Sequence, residues 1–179
     1  MTWFRRWFPE PIPPLPAPQV HEACGGAIRV TGAPADRQWG RQEDEDVREG
    51  GHVRVLRYTL HDGPAAMTLV AEVTTLDSCP DPVTDAGWKD ELVALFLEMD
   101  EVVVSEAEQP TLTAPLAARE VEALGTSPSG WPIALRERRA VRGNQRFIVR
   151  ARGPLGTMEG WQGVVDAWFA HTAFAPADA

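Results

Sequence analysis

Apolar and polar positions alternate in two neighbouring runs of the chain. Val53, Val55, Tyr58 and Leu60 form the first, Met67, Leu69, Ala71 and Val73 the second, and the turn residues HDGP separate them. Successive side chains on a strand point to opposite faces, so the two runs predict a β-hairpin. The second alternates cleanly; the first changes phase between Val55 and Tyr58, which suggests a bulge. DSCPDP then breaks the strand. From Thr84 or Asp85, a suitable N-cap, the spacing becomes helical through Trp88, Leu92, Leu95, Phe96 and Met99, with Lys89, Asp90, Glu91, Glu98 and Asp100 on the opposite face. Four strand candidates follow, EVVVSEAEQ, PLAAREVEALG, WPIALRERRAV and QRFIVRARG, separated by QPTLTAP, GTSPSG and RGN. LAAREVEAL fits a helix equally well by propensity and is assigned as a strand from its neighbours. Gly143 and Asn144 mark the last break as a hairpin turn. Met158, Trp161, Val165, Trp168 and Phe169 give a second amphipathic helix, closed by Phe174.

Upstream of the hairpin the pattern is weaker. Ala27–Thr31 reads as a short strand, and RQEDEDVREGG as a charged loop ending in Gly50 and Gly51. Residues 9–18, PEPIPPLPAP, read as polyproline II or linker, because each proline fixes φ and removes a donor. No βαβ alternation is present. The fold class expected is therefore α+β: a mainly antiparallel sheet packed against two amphipathic helices, with an extended Pro-rich N-terminal segment. The division is an aromatic and Pro-rich extension over 1–22 and a single domain over 23–179. Trp88, Leu92, Phe96, Trp161, Val165 and Trp168 are expected to share one core against the sheet.

Composition narrows the partners. The 179 residues are 44% hydrophobic and 24% charged, ordinary globular values. A formal charge of -9 argues against a nucleic-acid partner for the whole surface. No apolar run reaches the roughly 18 residues of a membrane span, and prolines follow Arg5 and Arg6 where a signal peptide would be apolar. A cytoplasmic address is expected, in which Cys24 and Cys79 are most simply reduced thiols, with a bridge between them the open alternative. Sixteen of the seventeen basic residues are arginine, Lys89 being the exception, which is consistent with GC-rich coding.

Candidate chemistry is sparse. His21, His52, His61 and His171 are scattered without metal-ligand spacing, and no cofactor motif is present, so neither metal nor cofactor is expected. His61 and Asp62 beside the hairpin turn, approaching Cys79, offer the only route to a nucleophilic cysteine. RERRAVRGNQRFIVRAR carries seven arginines against the single Glu137. Phe147, Val149 and Ala151 point one way on the last strand, and Arg146, Ile148, Arg150 and Arg152 the other. Arg138, Arg142 and Arg150 are the candidates for holding an acidic partner. The blander reading is a solvated face paired with the acidic helix and the EDED loop, and it is favoured. At the amino terminus, Trp3, Phe4, Trp7 and Phe8 fall on one helical face with Arg5 and Arg6 beside them, suiting either an interfacial anchor or docking on protein. Docking is preferred, since so short a helix with two cations binds membranes weakly.

The order GWKDELVALFLEMDEVVV, AREVEALG, IALRERRAV, RFIVRARG and VVDAWFAHTAF resembles the PsbP/DcrB-like family over about Val53 to Phe174. Thr172 and Phe174 stand offset from the serine and phenylalanine of that family's closing signature. The resemblance implies a binding module; relatives include a photosystem extrinsic subunit, a Ran-binding protein, lipoprotein domains and cytoplasmic chaperones of type VI secretion effectors. The reading that results is a non-catalytic, cytoplasmic chaperone or adaptor presenting a sheet surface to a protein or peptide segment. A peripheral membrane protein anchored by its aromatic N-terminus stands second, and an enzyme using Cys79 and His61 third.

Overall fold

The structure, a computed structural model, describes residues 20–33, 38–48, 51–61, 66–77, 101–106, 117–127 and 129–174. The segment 1–19, Cys79 and the helix expected from Thr84, with Trp88, Leu92 and Phe96, lie outside them. The elements run β1 (Val20–Ala23), β2 (Ile28–Thr31), β3 (Trp39–Arg48), β4 (Gly51–Leu60), β5 (Met67–Leu76), β6 (Glu101–Glu106), β7 (Ala117–Thr126), β8 (Pro132–Arg142) and β9 (Gln145–Pro154). Then come α1 (Leu155–Gly160), α2 (Gln162–Ala170) and β10 (Ala173–Phe174). A seven-stranded sheet has the order β3-β4-β5-β9-β8-β7-β6, and a three-stranded sheet the order β1-β2-β10. Every described ladder is antiparallel. The large sheet is two meanders sewn together where β5 meets β9, Ala71 lying opposite Val149. This is the α+β class expected. β1 starts at Val20, so the folded part crosses the 22/23 boundary drawn from sequence. None of the described helices is long and apolar enough to cross a membrane.

One face of the large sheet presents Leu56, Tyr58, Leu69, Ala71, Phe147 and Val149. The small sheet and both helices cover it with Ile28, Val30, Met158, Trp161, Trp168 and Phe169. Edge-on ring contacts cross the layer, Trp39 to Trp161 at 5.5 Å and Tyr58 to Trp168 at 5.9 Å between centroids. The other face is buried as well, at Val53, Val70, Leu135 and Ile148. This explains the phase change in the first strand. β4 pairs with β5 one to one from Gly51 opposite Leu76 to Leu60 opposite Met67, so no bulge interrupts it. Val53 is buried on one face and Leu56, Tyr58 and Leu60 on the other, so the apolar pattern changes face along the strand and has no single phase.

RQEDEDVREGG is not a loop. Residues 39–48 form β3, an edge of the large sheet paired along its whole length with β4. From Gly40 to Val47 every side chain is exposed, so neither face supplies the apolar alternation that marks a strand. Its carboxylates face cations close by: Arg41 lies 2.6 Å from Glu43, and Glu45 accepts from Arg54 at 3.1 Å and lies 2.7 Å from His52. The hydrogen bond from Arg54 holds the Glu45 carboxyl below its usual range. Charge on an edge strand also opposes pairing with a second sheet.

The terminal helix expected from Met158 to Phe169 is two helices. Trp161 leaves helical geometry at φ -108, ψ 20, flanked by Gly160 and Gly163, whose helix propensity is low. The apolar spacing survives the break, and Met158, Trp161, Val165 and Trp168 are all buried. The expected turn at Gly143 and Asn144 is present between Arg142 and Gln145, with Gly143 at φ 53 as a two-residue hairpin requires. Asn144 ties that turn to the end of β5, its carbonyl accepting from the Leu76 N–H at 2.8 Å.

Cys24 is a free, buried thiol in the turn between β1 and β2. Its φ of 56 is unusual for a side-chain-bearing residue, and it precedes Gly25 and Gly26 at φ 69 and 87. The Sγ lies 3.3 Å from the Arg54 carbonyl and 3.4 Å from that of Ala71, pinning the small sheet onto the large one. Burial pushes this thiol up from 9.0 to about 11. The neutral form is thus favoured in the fold. The stability this contributes is complete below pH 9 and is lost as pH rises towards about 11, with a slope of about 1.4 kcal/mol per pH unit. Denaturant titrations across that window should show the slope in the wild type and a shallower one in Cys24→Ala. Trp168→Ala removes a fully buried ring and should cost about 3–5 kcal/mol in the same titrations.

Candidate functional site

The arginine-rich hairpin owes its arrangement to strand register. Residues directly opposed on neighbouring strands share a face. Glu120 on β7 opposes Arg138 on β8, and Glu122 opposes Arg136, all on the helix-covered face. Glu137 opposes Arg150 on β9, so these two and Arg139 project to the other side. Each face therefore receives its own cluster of acid and base.

On the helix side Arg138 donates from Nε and Nη2 to Glu120 Oε2 at 2.9 and 2.7 Å, and from Nη1 to the Phe169 carbonyl at 2.8 Å. Arg136 donates to Glu120 Oε1 at 2.6 Å and to Asp166 at 3.0 Å, with its guanidinium 4.5 Å from the centroid of the Phe169 ring. On the far side Glu137, fully buried, accepts from Arg139 Nε and, at 2.5 Å, from Arg150 Nε. Each buried carboxylate thus joins two guanidiniums. Such geometry offsets the desolvation of the charges, and deleting one member strands the others.

The hairpin arginines are paired with carboxylates, as in the favoured reading, but largely inside the fold rather than on a solvated face. Arg138 is buried, with three guanidinium nitrogens engaged inside the fold. Arg150 is half-buried and bonded to Glu137. Arg142 lies with its guanidinium 5.4 Å from the Phe147 ring centroid. Among the described residues the carboxylates that meet these arginines are Glu120, Glu122, Glu137 and Asp166, while Glu43 and Glu45 of the EDED segment bond Arg41, His52 and Arg54; the acidic helix lies outside the described residues. His61 follows β4, its N–H reaching the Gln38 carbonyl at 3.4 Å, while Cys79 lies outside the described residues. Trp3, Phe4, Trp7 and Phe8 lie outside them too. Among the described residues, no three His, Cys, Asp or Glu side chains are grouped to hold a metal.

The helix-side network forms the wall of a groove that sequence reasoning missed. It is an open cavity of about 460 Å³ between α1, α2 and the strands β7 and β8. Leu124, Ala134, Met158 and Val165 supply apolar lining, and Glu122, Glu159, Gln162, Asp166 and Arg136 polar lining. Leu124 is 43% exposed, with exposed Glu122 and half-buried Ala134 beside it on the same face. Arg138 fixes α2 over the sheet through the Phe169 carbonyl near the helix end, where a cation also complements the helix dipole. The sequence signal was the alternation of Glu120 and Glu122 in AREVEALG against Arg136 and Arg138, which needs the β7–β8 register to be read.

No protein-family model matches the chain, and no curated protein matches it. The likeness to the PsbP/DcrB-like family rests on its residue pattern alone.

Glu137→Gln keeps the shape of the side chain but removes the charge shared by Arg139 and Arg150. It should cost about 3–5 kcal/mol of unfolding free energy in denaturant titrations. Glu43→Gln, on the exposed edge strand, should cost about 1 kcal/mol or less.

Proposed function

We propose that the protein is a non-catalytic binding protein, a cytoplasmic chaperone or adaptor that holds a protein segment in the groove between α1, α2 and the β7–β8 surface. The observation that carries this reading is the groove's make-up: about 460 Å³ of open space with apolar lining and three acidic side chains at its margin. Its size falls within the roughly 300–1,000 Å³ usual for ligand sites. Apolar lining anchors bulky side chains, and a carboxylate rim selects for lysine or arginine beside them. The ionisable groups along the wall are held in mutual pairs, Arg136 with Glu120 and Asp166, an arrangement that fixes a surface. The partner class is therefore an apolar segment interspersed with cations.

Anisotropy of labelled peptides measured with the full-length protein tests this reading. A peptide alternating leucine or tryptophan with arginine should bind, and an equally apolar peptide carrying glutamate should not. Leu124→Asp, at a half-exposed position, should weaken binding about tenfold, the equivalent of about 1.4 kcal/mol. Equal binding of both peptides, or an unchanged affinity in Leu124→Asp, would remove the groove from consideration.

A further inference from the structure

We infer that the segment Trp3–Phe8 of this same chain is an intramolecular occupant of the groove, competing there with any partner segment; this rests on the groove being the binding site proposed above. Three observations point to it.

The first is charge. Glu120, Glu122, Glu159 and Asp166 stand in or against the groove wall, with Arg136 and Arg138 as the cations bonded into it. Among the described residues, four carboxylates against two guanidiniums leave an excess of two negative charges. Trp3-Phe4-Arg5-Arg6-Trp7-Phe8 carries two positive charges and no acid. The second is apolar content. The groove offers half-exposed Leu124 beside Met158 and Val165, and the segment offers four aromatic rings within six residues. A ring that packs there removes its own surface and that of Leu124 from water together, at about 25 cal/mol per Å².

The third is reach. Residues 9–19 join the segment to β1, and six of these eleven residues are proline. As polyproline II they extend about 34 Å at roughly 3.1 Å per residue. β1 pairs with β2, β2 pairs with β10, and β10 directly follows α2. Crossing two strand spacings and the length of α2 takes on the order of 25 Å, at about 4.8 Å per strand and 1.5 Å per helical residue. The spacer therefore suffices to bring Trp3–Phe8 to the part of α2 that lines the groove, Gln162 to Asp166. A tether of this length holds the segment at an effective concentration in the millimolar range, so weak intrinsic affinity is enough for occupancy.

The test places p-benzoylphenylalanine at position 4 of the full-length protein and irradiates it at low micromolar concentration, with and without vesicles of phosphatidylcholine and phosphatidylserine. Crosslinks within one chain to residues 122–124, 134–136 or 155–166 are expected, lost in Arg5→Glu/Arg6→Glu and unaffected by vesicles. Crosslinks mainly between two copies, mainly to lipid, or to another face of the chain would overturn the inference, as would the absence of any crosslink. A second arm adds the labelled peptide WFRRWF to full-length wild type and to full-length Trp3→Ala/Trp7→Ala. Freed of its occupant, the variant should bind the peptide about tenfold more tightly. Equal binding by both proteins overturns the intramolecular occupant and leaves the groove standing; binding by neither removes the groove and the inference with it.

Discussion

Strand β8 carries charge into both sides of a sheet that is buried on both sides, and Glu120 and Glu137 are what make this tolerable. A buried guanidinium without an acid costs several kcal/mol, more than the net worth of most contacts around it. The pairing consequently specifies register. A slip of one residue between β7 and β8 would carry Glu120 to the opposite face and leave Arg138 under α2 without its carboxylate. Apolar burial adds to this, because Val121, Ala123 and Leu135 are buried on the far face and the same slip would carry Val121 and Ala123 to the groove side, where Glu122 and Leu124 are exposed. The same network sets the position of α2, through Arg138 and the Phe169 carbonyl, and so sets the width of the groove.

Much of the architecture is legible from the order of apolar runs. The β4–β5 hairpin, the strands β7, β8 and β9, and the Gly143 turn follow from alternation and turn chemistry, and the antiparallel α+β class follows from their order. What was not legible has a common cause: the rules assume one wet face and one dry face. β4 buries Val53 on one face and Leu56, Tyr58 and Leu60 on the other, so its pattern changes phase past Val55 and imitates a bulge. β3 is wet on both beyond Trp39, so Glu43, Asp44, Glu45 and Asp46 imitate a loop. The break at Trp161 was hidden because its ring stays on the apolar stripe that the helix pattern follows, while only the backbone departs.

The carboxylate partners of the hairpin arginines were hidden for a different reason. In the sequence, Arg136 and Arg138 on β8 and Arg150 on β9 look like one excess of cation. Their neutralisation depends on residues 13 to 18 positions away that meet them only when the strands pair. Glu120 and Glu122 were visible in the sequence as an alternation, but a register, not a composition, connects them to their partners. The groove was invisible for the same reason, being assembled from β7, β8, α1 and α2.

Drawing arginines inward also changes what the surface presents. Arg136, Arg138, Arg139 and Arg150 all bond Glu120 or Glu137, so four of the chain's seventeen basic residues are committed to buried or half-buried pairs in a molecule whose formal charge is already -9. The exposed carboxylates of β3 and of the groove margin then dominate the local field. Long-range attraction therefore favours cationic segments and disfavours anionic ones, acting on association rate before any contact forms. Along β3, an edge of the sheet among the described residues, that field meets a strand without an apolar face, where an approaching strand would bury little. In the groove it meets half-exposed Leu124 over apolar lining, where an arriving side chain gains both. Between these two described surfaces, apolar gain and charge selectivity coincide at the groove, which is why the proposed binding of a partner segment is assigned there rather than to the edge strand.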